Sequence, residues 1–510
     1  MFEFVNIKIN LKGNTMEKLQ QFEDIHTEYK KAKKNVPNDM WETVSAFANT
    51  DGGNIYLGVT EDKNNKVSSF YPSGVENINA VITDLLDTVK NHNKISTQAF
   101  KEKDIETIEI NNKKIIKISV PKADYKDRPV YLKGDIKNTY IREGERDSKA
   151  NGDDLKSIII DSKGTDNYDL LNGFDINDLK VKDIEHYRGI LYDQNPSYKD
   201  ILNESIEDFL KSIGLIRKDR TNNTFKYTKA ALLLFGKFNS ITDIYHSFML
   251  DFIIKKTPLD VDYTDRIYTS SESESPDNIF EFYTQVSEKI KSIINNKFKL
   301  NDLSRKDDGE RLITILREGL VNSLVHADYR SNLPTKISFF EDKIEFENAG
   351  QMRVSTENFF IHTDSKTRND LIFQTFIQAK LGEHTGSGGY RILSNAQQMK
   401  LKTPEIETNP QKTKLTIWKI TENDVINSLP LKWKQPYKLI SEKLVVSSSD
   451  LRHLFNSKYE ELKVLNEMIK AGLIIRSGKS RGTKYLISSD SPTIKRKISE
   501  QIQLMQKGIF

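Results

Sequence analysis

Glu318, Asn322 and His326 recur four residues apart, a spacing that sets a carboxylate, an amide and an imidazole in one row along a helix. Such a row suits a metal–phosphate site, in which the carboxylate polarises a water and the amide oxygen holds magnesium. The same spacing fits a solvated helix face, so the row does not decide by itself. Leu312, Leu316, Leu320 and Leu324 repeat at the same interval with an offset of two, so a separate apolar stripe must position the polar row.

The chain that follows supplies two further pieces. KISFFEDKIEFENAG alternates into strands over Lys336–Phe340 and Lys343–Glu347, turns at Glu341–Asp342 and ends in Asn348–Ala349–Gly350. Gly386, Gly388 and Gly389 form a cluster opening a helix, where backbone N–H groups can approach phosphates, although such a cluster is also a common loop. Thr413–Ile420 reads as a closing strand.

This order resembles the GHKL ATPase fold, and most of all the ATP-binding domain on the C-terminal side of RecG-like regulators, over roughly 300 to 420. The resemblance implies Glu318 as general base for ATP hydrolysis and Asn322 as the magnesium ligand, with His326 on the same nucleotide-facing row. It further implies Gly386, Gly388 and Gly389 as the phosphate wrap. Asn348, ahead of Gly350, stands where the wider superfamily has an Asp that reads the adenine amino group.

A second set of carboxylates lies near the beginning. Glu23, Glu28 and either Glu61 or Asp62 can together hold one or two magnesium or manganese ions and orient a water on a phosphate. Pairing of Glu28 with a nearby Lys, and an ordinary turn at Glu61–Asp62, account for them equally. Residues 16 to 26 are expected as a short helix, Glu28–Tyr29–Lys30 as extended chain, and Asn54–Val59, Lys114–Val120 and Thr139–Arg142 as strands. AFANTDGGNIYLGVTED at 46–62, with Glu23, Glu28–Tyr29–Lys30 and Tyr140–Ile141–Arg142–Glu143–Gly144, resembles the Schlafen-type AlbA domain over roughly 20 to 160. That resemblance implies nucleic-acid binding and, as in animal Schlafen proteins, metal-dependent RNA cleavage at the carboxylates. Lys30, Lys31, Lys33, Lys34, Arg142 and Arg146 are the nearby phosphate candidates, against a reading of the lysines as a solvated face.

Toward the end, Ser447–Ser449 with Asp450 read as a helix cap, followed by a helix over Tyr459–Lys470 and strands over Leu473–Arg476 and Lys484–Ile487. AGLIIRSGKSRGTKY resembles the wing of bacterial winged-helix regulators, which implies Lys479, Arg481 and Lys484 at a phosphate backbone. Gly478–Lys479–Ser480 is not a Walker A loop, because Leu473 occupies the place of its first glycine.

The remaining features bound the class. The chain has 510 residues, 29% charged and 37% hydrophobic, with net charge +4 and no cysteine. Disulfides, a thiol nucleophile and a cysteine zinc site are thereby excluded. The charge excess is too small to argue a nucleic-acid partner without local patches. MFEFVNIKIN alternates instead of forming a signal core, and no run of eighteen apolar residues spans a membrane. A cytoplasmic location is expected.

The expected architecture is multidomain α/β and α+β. It comprises an N-terminal extension (1–19), a Schlafen AlbA-like nucleic-acid domain (20–165), a mostly helical middle linking domain (166–300), a GHKL α/β sandwich (301–422), a winged helix (430–490) and a C-terminal helix (491–510). Two functions are open. One is a regulator, binding DNA or structured RNA, under the control of ATP and Mg2+. The other is an ATP-licensed, Mg2+- or Mn2+-dependent endonuclease acting on RNA, tRNA or phage nucleic acid in antiviral defence. A homo-oligomer, a protein partner encoded nearby and no membrane contact are expected with either.

Overall fold

The computed structural model describes residues 23–62, 69–195, 199–300, 306–361, 366–382, 387–421, 426, 429–443, 445–470, 473–477 and 484–487. The expected helix at 491–510 and most of the expected wing tip lie outside them. Among the described residues, no helix is long and apolar enough to cross a membrane.

The N-terminal unit is built on β1 (Thr27–Lys30), α1 (Met40–Asn49), β2 (Gly53–Leu57), β3 (Val59–Asp62), β4 (Ser69–Pro72), α2 (Ile78–Val89), β5 (Ile105–Ile110), β6 (Lys113–Val120), β7 (Tyr140–Glu143) and β8 (Arg146–Lys149). Its main sheet runs β1-β2-β6-β5, with β1 parallel to β2 and the other pairs antiparallel. Met40, Val44 and Phe47 line the buried stripe of α1 and join Ile55, Leu57, Ile116 and Ile118 in one core. Gly53 is required where the Phe47 ring crosses it, since a Cβ there would sit 2.7 Å from that ring. The short helix expected at 16–26 is corrected for its described part: residues 23–26 form a bridge and turn leading into β1. Helix α3 (Gly152–Ser162), begun by a capping box of Asn151 and Asp154, leaves this unit.

The central unit contains α4 (Val181–Gln194), α5 (Ile206–Ser212), β9 (Ile216–Lys218), β10 (Phe225–Tyr227), α6 (Lys229–Phe235), α7 (Phe238–Ile244), β11 (Leu250–Ile254), β12 (Asp265–Tyr268), α8 (Ile279–Leu300) and α9 (Lys306–His326). It continues through β13 (Thr335–Phe339), β14 (Lys343–Ala349), α10 (Thr356–Ile361), α11 (Asp370–Gln378), α12 (Gly388–Gln398), β15 (Glu405–Thr408) and β16 (Lys412–Trp418). Its sheet has the order β12-β11-β13-β14-β16-β15. The expected boundary at 300 is corrected here. Strand β11 pairs in parallel with β13, from Leu250↔Thr335 to Ile254↔Phe339, and one apolar core runs from Leu171 to Ile417. Residues 166–300 supply two of the six strands of a shared sheet and part of the shared core, because the apolar face of β11, Leu250 and Phe252, is buried in that core. The Leu/Phe-rich α6 is wholly inside that core.

The C-terminal unit comprises α13 (Leu431–Lys443), β17 (Val445–Ser447), α14 (Ser448–Leu451), α15 (Lys458–Lys470), β18 (Ile474–Ser477) and β19 (Lys484–Ile487). Ser447 and Asp450 make the expected capping box. The antiparallel sheet β17-β19-β18 closes over Tyr437, Ile440, Leu465, Met468 and Tyr485.

Candidate functional site

Helix α9 presents Leu312, Ile315, Leu316, Leu320 and Leu324 to the core and turns Glu318, Asn322 and His326 into a cleft. Gly319 allows this helix to lie directly on β14, where a Cβ would sit 2.8 Å from the Phe346 ring. The cleft has about 1000 Å³ of empty space including its open mouth, and Asn348, Gln351, Arg353, Phe359, Lys366, Arg368, Gly388 and Gly389 also line it.

The glycine segment meets the polar row as the sequence implied. A Cβ on Gly388 would stand 3.1 Å from Glu318 Oε2 and 3.3 Å from Asn322 Nδ2, so this backbone approaches both side chains closely and a larger residue would press on them. Gly389 is packed harder still, since a Cβ there would run into the Phe359 carbonyl oxygen of α10. Gly388 begins α12, to which Ser387 gives no side-chain cap, and a helix start of this kind presents backbone N–H groups to an anion. Glu318 is only 3% exposed and has Arg391 of α12 at 3.6 Å. Asn322 Nδ2 is buried with no hydrogen-bond partner among the described residues. A buried carboxylate, an amide with an unpartnered Nδ2 and a closely approaching glycine backbone fit a magnesium–phosphate group. Asn322 would supply its amide oxygen to the metal and Glu318 would hold the water.

At the other end, His326 is neutral. Burial, then the charges of Arg368 and Arg353, push its imidazole down to about 3. Asn348 turns its Nδ2 to the carbonyls of His326 (3.4 Å) and Ala349 (3.0 Å). Gly350 has φ +96°, and the Arg368 guanidinium lies 2.6 Å from where its Cβ would be. Arg368 donates to the His326 carbonyl and, at 2.8 Å, to the Gln351 carbonyl, clamping the end of α9 to the end of β14. Gly386 lies outside the described residues.

The N-terminal carboxylates are arranged differently. Glu28 has Arg142 Nη1 and Lys30 Nζ each at 2.9 Å, so a cation at Glu28 would have to displace both. Glu23 accepts from the Tyr29 N–H at 2.9 Å, and burial followed by the nearby Glu28 charge pushes its carboxyl up to about 7. Glu61 lies on β3, paired across to Phe70. Among the described residues, no three His, Asp or Glu side chains form a group able to hold a metal; the side chain of Asp62 is not among them.

Arg142 is corrected as a phosphate contact. Its side chain is 1% exposed and is consumed by Glu28, Asp147 at 2.9 Å, and the Asp24 and Thr27 carbonyls at 2.8 and 3.2 Å. Lys30 is also engaged, with Asp39 at 2.9 Å, whereas Lys31, Lys33 and Arg146 are exposed. Lys479, Arg481 and the Lys484 side chain lie outside what the structure describes.

Comparison with known proteins places these pieces. Residues 23–151 match the family model "Schlafen, AlbA_2", and residues 333–417 match "Putative ATP-dependent DNA helicase recG C-terminal". The chain joins a Schlafen AlbA_2 domain to a RecG C-terminal-like domain. Residues 156–251, between them, match a domain of unknown function, DUF8451. No curated protein matches the chain. Among solved structures, the DIP2311 protein from Corynebacterium diphtheriae aligns at 12% identity and TM-score 0.39, covering 93% of this chain and 96% of its own. The N-terminal domain of a RecG-related protein from Nitrosomonas europaea aligns at 28% identity and TM-score 0.20, covering 24% of this chain and 82% of its own.

The residues that sequence reasoning missed are Gln351, Arg353, Lys366 and Arg368. They connect the RecG C-terminal-like domain to the AlbA_2 domain and to α3. Gln351 Nε2 donates to the Asn49 and Thr50 carbonyls at 2.8 and 3.2 Å, and its Oε1 accepts from Arg128. Thr356 donates through its N–H (3.0 Å) and Oγ1 (2.6 Å) to the Asp51 carboxylate. Arg353 donates twice to Asp161, at 2.9 and 2.8 Å, and Arg368 once at 3.2 Å. Lys366 reaches Asp124 at 2.5 Å. No local pattern announces these bonds, because the partners lie hundreds of residues apart.

Proposed function

We propose that this chain is an ATP- and magnesium-binding, nucleic-acid-binding regulatory protein, in which nucleotide in the 318/322/388 cleft controls polynucleotide binding by the AlbA_2 domain. The observation that carries the reading is the meeting of Glu318, Asn322 and the Gly388 backbone at the start of α12. Magnesium would bring charge neutralisation to the phosphates. Glu318 then holds and deprotonates the attacking water, Asn322 keeps the phosphate end in register, and the α12 backbone stabilises negative charge. The family that residues 333–417 match, "Putative ATP-dependent DNA helicase recG C-terminal", agrees with the nucleotide. The exposed Lys31, Lys33 and Arg146 are the phosphate contacts of the N-terminal domain. The C-terminal unit, with its one capped helix at Ser448–Leu451 and its three-stranded sheet, is a winged helix that adds a second contact.

The endonuclease alternative has no structural support of this kind, since Glu28 is occupied by Arg142 and Lys30. Titration of the full chain with a fluorescent ATP analogue, with and without magnesium, tests the proposal. Saturable, magnesium-dependent binding that Asn322→Ala weakens supports it. No binding by the wild-type chain refutes it.

A further inference from the structure

The wall of the cleft is fastened from outside the cleft. Gln351, Arg353 and Arg368 line it, yet several of the groups that fix them lie far back in the chain, between Asn49 and Asp161. Asp161, on α3, takes two bonds from Arg353 and one from Arg368, and has Arg128 at 3.6 Å. The Asn49 and Thr50 carbonyls and Arg128 use all of the Gln351 carboxamide. Arg353 is pressed flat between Asp161 and the Tyr125 ring, 3.8 Å from its centroid.

The charges at this joint do not balance. Arg128, Arg353 and Arg368, with side chains 1–3% exposed, share Asp161, and the buried Lys122 lies 3.7 Å from Asp51. Lys122 Nζ and Arg128 Nη2 have no hydrogen-bond partner among the described residues. Three buried guanidinium groups on the one Asp161 carboxylate leave uncompensated buried charge if that carboxylate is removed. Losing Asp161 takes the shared carboxylate from Arg353 and Arg368 and loosens the positions in which they shape the cleft.

We infer that the AlbA_2 domain and α3 complete the nucleotide site, with Asp161 as the positioning residue that ties cleft geometry to domain docking. This rests on the nucleotide reading above. Docking pre-organises the cleft, so docked domains bind nucleotide more tightly. By linkage, nucleotide then strengthens docking by the same factor. The joint is the route by which the two ends of the chain inform one another.

The test uses the full chain and residues that do not line the cleft. Asp161→Asn removes the shared charge, and Thr356→Val removes one inter-domain bond without changing charge. A fluorescent ATP analogue with magnesium should bind Asp161→Asn at least tenfold more weakly and Thr356→Val two- to fivefold more weakly. Hydrogen exchange followed by mass spectrometry supplies the readout that a merely structural role would not move. In the wild type, saturating nucleotide should slow exchange at residues 49–52 and 354–358, and this protection should vanish in Asp161→Asn. Unchanged affinity in both folded variants, or nucleotide protection that persists in Asp161→Asn, overturns the inference while leaving nucleotide binding intact. A wild-type chain that binds no nucleotide overturns both.

Discussion

Gln351 Nε2 lies 2.8 Å from the Asn49 carbonyl, joining residues 302 positions apart. The same Asn49 uses its side chain inward. Its Nδ2 donates to the Val130 and Tyr140 carbonyls at 2.8 and 3.0 Å, and its Oδ1 accepts from the Val130 N–H at 2.8 Å. One residue therefore closes the N-terminal domain with its amide and receives the neighbouring domain with its backbone. Asn49→Ala should lower stability by about 3 kcal/mol, at roughly 1 kcal/mol for each of three buried hydrogen bonds. Urea denaturation followed by circular dichroism checks this. A loss below about 0.5 kcal/mol, the range of an ordinary surface change, would contradict it.

Glu318→Gln should keep nucleotide binding and lose hydrolysis by about 10²- to 10⁴-fold, the usual scale for removing a general base. Phosphate release measured beside analogue binding separates the two effects. Equal turnover in the variant would remove Glu318 from the chemistry.

Arg142 and Lys33 should behave as opposites. Arg142→Ala leaves the buried Glu28 without its guanidinium partner and should cost about 3–5 kcal/mol of stability. Lys33 is exposed, so Lys33→Ala should change stability by less than about 0.5 kcal/mol while weakening polynucleotide binding and lowering its salt slope by about 1. Denaturation curves and binding isotherms at several salt concentrations report both.

Lys122 should give the chain a pH-dependent weakness. Burial, only partly offset by Asp51 and reinforced by Arg128, pushes its amine from 10.5 down to about 7. The folded value is below the unfolded one, so the unfolded chain takes up the proton first. Stability contributed here is complete above pH 10.5 and falls as pH drops toward about 7, with a slope of about 1.4 kcal/mol per pH unit. Lys122→Met should flatten that part of the profile and be the more stable protein at pH 8. Urea midpoints of the two proteins at pH 7, 8, 9 and 10 test it, and parallel profiles would rule it out.

The local chemistry of the fold was readable in the chain. The four-residue repeat of Leu312 to Leu324 predicts α9, and the alternation in KISFFEDKIEF predicts β13 and β14, observed at Thr335–Phe339 and Lys343–Ala349. Ser447 with Asp450 predicts the cap of α14. Each is a signal between residues close in sequence, governed by periodicity or capping. Glu318, Asn322 and Gly388 belong to short motifs, and the structure brings the three together.

What escaped was long-range. Residues 166–300 were expected as a separate linking domain because β11, LDFII, is too short to reveal that its partner is β13, 85 residues on in the register Leu250↔Thr335. Arg142 reads as a phosphate candidate because a basic residue near an acidic one has the same sequence signature whether it faces water or Glu28. The helix expected at 16–26 overlooked the Tyr29 N–H held by Glu23, which draws residues 23–26 into a turn. The wall of the cleft depends on Asp161, and a lone Asp at the end of a helix carries no such message.

The parallel partnership of β11 with β13 has a practical corollary for anyone dissecting the molecule. Cutting the chain at residue 300 would strip β13 of its neighbour and leave a bare apolar edge, the kind of surface on which chains stick to one another. The smallest piece worth expressing for biophysics starts ahead of Leu171 and runs past Ile417. Shorter pieces of the RecG-like region should precipitate, whatever their catalytic residues.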